Sequence, residues 1–289
     1  MRSYLISLFA FLIVLCSPAI AQQLQYAPAD PQASANIPGY DLVLEARLTK
    51  GGATIERGMI WRVFGDQSGA DGKLPLIASG YGGSSSFSLP TGTYLVHAAF
   101  GRAGATKRIS VGELGTSETF VMDAGGLQLS ATAEGKPITG NHLRFSIYDV
   151  DKNDEGEREL IAQDIEAGRV IRLSTGTYHI VSYYGKINAT VRADLEVNAG
   201  EVTKAVLQHR GAEVKLKLVS KQGGAPVANT AWTVLAEQGA KVFESDSNAP
   251  TLVLAEGRYE ASVRNGEEIY VHNFEVKAGE NAEIEVLLN

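Results

Sequence analysis

The sequence predicts an all-β protein of three tandem antiparallel β-sandwich repeats after a signal peptide. Three observations predict it. A set of landmark residues recurs along the chain in one order. Apolar and polar residues alternate with a period of two between turn signals. No apolar stripe of helical period runs for more than a turn or two. The chain has 289 residues, of which 44% are apolar and 20% charged, the balance of a folded protein rather than a disordered one.

The N-terminus has the three parts of a secretory signal. Arg2 supplies the positive charge, Leu5 to Leu15 the apolar run, and Ala19-Ile20-Ala21 a small-x-small cleavage site. The run is shorter than the roughly 20 apolar residues that a membrane-spanning helix needs. The mature chain is therefore expected to begin at Gln22 and to have no transmembrane segment. A bacterial periplasmic or secreted location follows. Cys16, the one cysteine, lies inside the segment to be removed. Leu15 before it is not the small residue that a lipoprotein signal calls for. Residues 22–39 hold Pro28, Pro31 and Pro38 and read as a linker.

The landmarks come next. Thr91-Gly92-Thr93-Tyr94 recurs as Thr175-Gly176-Thr177-Tyr178 and, more weakly, as Glu256-Gly257-Arg258-Tyr259. The three tyrosines lie 84 and 81 residues apart. Trp61-Arg62-Val63, Phe145-Ser146-Ile147 and Trp232-Thr233-Val234 form a second series. Val111-Gly112, Val197-Asn198-Ala199-Gly200 and Val276-Lys277-Ala278-Gly279 form a third. The repeats fall at 40–125, 126–211 and 212–289. Their junctions hold only small residues, which argues for modules packed end to end. Three sandwiches in line would make a rod on the order of 100 Å.

Within each repeat, strands of one buried face alternate with turns. Tyr94, Val96, Ala98 and Phe100 share one face, as do Tyr178, Ile180, Ser182 and Tyr184. Trp61, Phe145 and Trp232 are expected to fill the gap of about 10 Å between two sheets. Composition favours a short helix at one place, Glu155 to Gly168.

A Gly-x-Tyr turn entering a strand, a strand ending in Val-x-Ala-Gly and a last alternating strand resemble bacterial immunoglobulin-like and carboxypeptidase-regulatory-like (transthyretin-type) sandwich modules. The resemblance implies spacer, adhesion or interaction roles. It carries over no catalytic residue.

Chemistry-bearing motifs are few. Lys and Arg total 26 against 33 acids, a net charge of −7, which disfavours nucleic acid as a partner. The five histidines lack metal-ligand spacing. His97 and His179 read as exposed strand residues. Asp149 to Glu157 is acidic, but Asp154 and Leu160 stand where an EF-hand needs Gly and Glu, so a solvated hairpin is expected. Gly80 to Ser86 lacks the endings of a phosphate loop or nucleophile elbow and reads as a flexible hairpin. Leu89-Pro90-Thr91-Gly92 reads as a turn.

Tyr81 and Tyr183 are the candidate binding surface, because exposed tyrosines stack on sugars or anchor protein partners. His97 and His179 join them. Alternation assigns Tyr184 to the core. We therefore expect a non-enzymatic envelope protein with no cofactor, acting as a structural or protein-interaction scaffold. The alternative is a binder of cell-surface polysaccharide or glycan. Its partner would be an envelope protein or a cell-surface glycan.

Overall fold

A computed structural model describes residues 39–288. The signal peptide (1–21) and all but the last residue of the linker (22–39) lie outside them. Residues from Gly39 onward form one compact unit.

The first seven strands are β1 (Tyr40–Arg47), β2 (Met59–Gly65), β3 (Leu76–Gly82), β4 (Ser85–Leu89), β5 (Gly92–Phe100), β6 (Ala103–Val111) and β7 (Thr116–Val121). Next come β8 (Ala124–Ala133), the short β9 (Lys136–Pro137), β10 (Leu143–Lys152), β11 (Arg158–Ile165), β12 (Val170–Ser174), β13 (Gly176–Tyr184), β14 (Ala189–Val197) and β15 (Val202–His209). The last seven are β16 (Gly211–Val219), β17 (Thr230–Ala236), β18 (Lys241–Ser245), β19 (Thr251–Ala255), β20 (Gly257–Asn265), β21 (Glu268–Val276) and β22 (Ala282–Leu287). No helix occurs among the described residues.

Each set, a module here, makes one four-stranded sheet and a second sheet with a three-strand path, to which module two adds the short β9 beside β8. The orders are β3-β2-β5-β6 with β4-β1-β7, then β11-β10-β13-β14 with β12-β8-β15, then β18-β17-β20-β21 with β19-β16-β22. The sheets are antiparallel, as expected, with one exception in each module. β7, β15 and β22 run parallel to β1, β8 and β16. The last strand of each module leaves the edge of the four-stranded sheet, crosses the sandwich and lands beside the module's first strand.

Period-two alternation places one face of every sheet inside. Trp61, Phe145 and Trp232 are at most 1% exposed and sit at the centres of three separate apolar clusters. Trp61 meets Phe120 of the facing sheet edge-on at 5.2 Å, a favoured aromatic geometry. The recurring tyrosines have a structural task as well. The hydroxyls of Tyr94, Tyr178 and Tyr259 donate to the carbonyls of Pro90, Ser174 and Ala255, each at 2.9 Å. Each tyrosine thus pins the turn four residues before it.

Two expectations change. Glu155 to Gly168 holds strand β11, not a helix. Pairing with β10, accommodated by register shifts, overrides local helix propensity. Gly80 to Ser86 is not a hairpin, because β3 and β4 belong to different sheets. The segment is a corner between layers, and the Gly83 carbonyl in it accepts from Trp61 Nε1 at 2.7 Å.

The modules are stitched at short junctions. The tip of the β5–β6 hairpin meets module two, where Arg102 N–H donates to the Arg172 carbonyl at 2.9 Å. The β13–β14 tip meets module three through Asn188, whose Oδ1 accepts from Ala255 N–H and whose Nδ2 donates to Tyr259 Oη, both at 2.9 Å. Ile187 packs on the third core. Gly101 and Gly185 at these tips have φ of 64° and 74°. A Cβ on them would lie 2.7 Å from Arg172 Cβ and 2.6 Å from Val253 Cβ. Only glycine allows both the turn and the approach.

Candidate functional site

The four-stranded sheets of modules one and two present the outer faces that carry the predicted residues. In module one, Tyr81 faces Ile60, and Arg62 faces both Ser79 and His97. Tyr81 and His97 therefore share one face, one row apart. Tyr81 is 76% exposed. His97 is not the exposed residue expected from its sequence context. It is half-buried, and its Nδ1 lies 3.0 Å from Thr106 Oγ1 of β6. Burial, and next the Arg62 guanidinium, push its pKa down.

Module two brings the other two residues together. His179 lies between Tyr148 of β10 and Asp194 of β14, and Tyr183 lies opposite Arg144. His179 Nδ1 is 2.6 Å from Asp194 Oδ1, and its side chain is only 17% exposed, again unlike the expectation. The Tyr148 and His179 rings lie 6.5 Å apart. Burial first, and then the Tyr148 phenol, push the Tyr183 pKa up, with Ser146 and Arg192 acting the other way. Ser146 and Val181 belong to this outer face but are 7% and 5% exposed. The longer side chains around them cover the face like a lid.

His97 and His179 occupy one kind of face but not one position. Counted from the corner tyrosines Tyr94 and Tyr178, the first is three residues on and the second one. Sequence reasoning missed Tyr148, Asp194, Arg192 and Ser146. They lie far from the tyrosine landmark in sequence, and only strand register brings them to His179 and Tyr183.

Tyr184 is buried, as alternation implied, but at the junction of modules two and three. It clusters there with Ala189 and Val253. Beside it His209 is 1% exposed, with Nε2 2.7 Å from Ser182 Oγ and Nδ1 without a hydrogen-bond partner. Its ring meets Tyr184 edge-on at 5.8 Å. Burial pushes the His209 pKa down, and the Ala189 backbone opposes this. A cleft of about 490 Å³ opens alongside, with Phe243 and Leu252 in its wall and His142, Lys186 and Glu213 among its charged groups.

The acidic loop 149–157 is a hairpin between β10 and β11. Asn153 Oδ1 accepts from the N–H groups of Glu155 and Glu157 at 3.1 and 2.8 Å. Among the described residues, no group of three or more His, Cys, Asp or Glu is placed to hold a metal ion. No described helix is long and apolar enough to cross a membrane.

Residues 213–288 match the model of a family described as the Rhizobiales growth-associated tandem repeat domain. No curated protein matches the chain. Among solved structures, the chain is similar to the Bacillus anthracis TIE protein, at 16% identity and a TM-score of 0.24, over 87% of this chain and 50% of that one. It thus spans half the length of that protein. It is also similar to a minor pilin of Streptococcus agalactiae, at 11% identity and a TM-score of 0.29, over 59% and 95%. The major pilin subunit of Bacillus cereus is a third, at 11% identity and a TM-score of 0.23, over 86% and 99%. The fold assignment rests on the sheet topology above.

Proposed function

We propose that the chain is an exported, non-enzymatic protein of the bacterial cell envelope that acts as a structural and protein-interaction scaffold. One observation carries the reading: successive modules are tied by hydrogen bonds and buried apolar contacts. Such ties hold separate sheet faces at fixed places along one body. The match of residues 213–288 to a growth-associated repeat domain supports a link to cell growth. The aromatic faces around Tyr81 and Tyr183 are of the composition that protein interfaces favour.

Photo-crosslinking in intact cells tests this. A photoreactive residue replaces Tyr81 or Tyr183 in turn. Discrete adducts with envelope proteins are expected from at least one site. Absence of adducts from both, in cells where the chain is exported, would overturn the scaffold reading.

A second reading, binding of a cell-surface glycan, is favoured by the Tyr148, His179, Asp194 and Tyr183 cluster. Aromatic faces with a carboxylate alongside suit sugar rings and hydroxyls. Co-sedimentation with purified cell-wall polysaccharide, lost on Tyr183→Ala, would favour it over the first.

A further inference from the structure

The three modules end their four-stranded sheets on equivalent edge strands, β6, β14 and β21. Each pairs on one side only, with β5, β13 and β20. Register aligns them, because corner residues Tyr94, Tyr178 and Tyr259 face Ile109, Leu195 and Phe274. An unprotected edge invites another strand, so folded proteins blunt it with charge, bridges or cover.

Module one is blunted in three ways and module two in two of them. Their outward edge residues are Gly104 and Thr106 in one and Thr190 and Arg192 in the other. A hydroxyl clasps each edge strand to the facing sheet: Thr116 donates to the Ser110 carbonyl and Thr203 to the Glu196 carbonyl, both at 3.0 Å. In module one, Lys107 also straps the edge to β7, donating to the Thr119 carbonyl at 2.6 Å.

Module three lacks all of these among the described residues. The outward positions hold Ile269 and Val271, which are 63% and 55% exposed. The clasp position holds Ala282, and the Lys107 position holds His272. Leu287 on β22 adds a third apolar side chain, 47% exposed. Between β21 and β22 lies a groove of about 400 Å³ lined by Ile269 to His272 and Glu285 to Leu287. β21 itself carries Glu268 and Glu275, no lysine or arginine, and one histidine, His272; exposed Glu267 and Glu280 flank it, with Lys277 between the strand and Glu280. Across the pair, Arg264 lies opposite Ile269 and Arg258 opposite Glu275, which leaves Glu267, Glu268 and Glu280 with no arginine facing them in the register.

We infer that β21 is a strand-addition site for an extended segment of a partner protein in which apolar residues alternate with lysine or arginine. The backbone edge supplies hydrogen bonds, Ile269 and Val271 the apolar contact, and the glutamates the charge preference. The site rests on the reading of the chain as an interaction scaffold, and it names the partner's chemistry. Its failure would leave the crosslinking result at Tyr81 and Tyr183 standing.

The probe is a ten-residue peptide alternating valine and lysine, titrated into residues 22–289. Slowed amide exchange over residues 268–276 is expected. Val271→Lys should weaken binding at least tenfold. Ala282→Thr, which restores the clasp without burdening the core, should weaken it several-fold. The same peptide methylated on alternate backbone nitrogens should not bind. Three results would overturn the inference: equal binding of a valine–glutamate peptide, equal binding of the methylated peptide, or no change in exchange at β21. Self-association of the chain through β21 without peptide would also overturn it, by making a second copy the occupant.

Discussion

Modules one and three run the same strand order, yet they close their polar atoms differently. Trp61 and Trp232 hold the same place between the sheets. The Trp61 indole N–H donates to Gly83. The Trp232 indole N–H is buried with no partner. The connection between sheets explains it. In module one only residues 83–84 join β3 to β4, which brings a carbonyl over the ring. In module three, residues 246–250 join β18 to β19 and lead no carbonyl to the indole. The corner tyrosines differ in the opposite sense. Tyr94 Oη makes one bond, to Pro90, whereas Tyr259 Oη donates to Ala255 and also accepts from Asn188 of module two. The aromatic positions are thus kept for volume and turn geometry, and the remaining polar valences are filled according to what lies next to each module.

The largest effects should come from volume. Trp61→Ala and Trp232→Ala should each destabilise their own module by about 3–5 kcal/mol, the usual cost of emptying a large aromatic site. Native-state hydrogen exchange at Leu42 and Leu44, or at Val214 and Leu216, reads each module separately. Phenylalanine variants isolate the hydrogen bond, because the lost volume is the same at both sites. Trp61→Phe leaves the Gly83 carbonyl unpaired and should cost about 1–3 kcal/mol more than Trp232→Phe. Equal costs would show that the Trp61 bond adds nothing. Module two already carries Phe145 at this position, so phenylalanine is compatible with the sandwich.

The joint between modules two and three is sensitive to pH through His209. Its folded pKa lies below the ordinary histidine value of about 6.5. As pH falls through that value the unfolded chain takes the proton first, so stability falls, and it levels off below the folded pKa. One group contributes at most about 1.4 kcal/mol per pH unit in this window. Protection factors of amides in β16 and β19, taken relative to the intrinsic exchange rate at each pH, should therefore fall between neutral pH and pH 5. His209→Gln keeps a partner for Ser182 and should flatten the response. A response that survives the substitution would belong to another group.

The repeat landmarks made most of the architecture legible in the sequence, because buried aromatics and turn glycines constrain chain geometry directly. Tyr94, Tyr178 and Tyr259 could be aligned without knowing that they bond the carbonyl four residues back. The parallel pairing of β1 with β7 could not be read, since alternation fixes which face is buried but not which neighbour a strand takes. For the same reason His179 was visible while Tyr148 and Asp194 were not. They lie 31 residues before it and 15 after it, and only strand register joins them. The Glu155 to Gly168 segment failed in the other direction, because its helix-forming residues yield to pairing with β10.

The smallest predicted difference concerns the corner tyrosines. Tyr94→Phe removes one hydroxyl that bonds one carbonyl. Tyr259→Phe removes the same bond and also strips Asn188 Nδ2 of its acceptor. Asn188 keeps its Oδ1 contact with Ala255 N–H, so the junction should loosen rather than open. A neutral hydrogen bond contributes about 0.5–1.5 kcal/mol net, and the excess cost of Tyr259→Phe over Tyr94→Phe should fall in that range. Pairing Tyr259→Phe with Asn188→Ala in a double-mutant cycle separates the two contributions. If the costs simply add, the Asn188–Tyr259 contact contributes no coupling, and the β13–β14 tip is held by Ile187 and the Ala255 backbone bond alone. A coupling of the expected size would make Tyr259 a joint residue as well as a turn residue, a role that Tyr94 does not have.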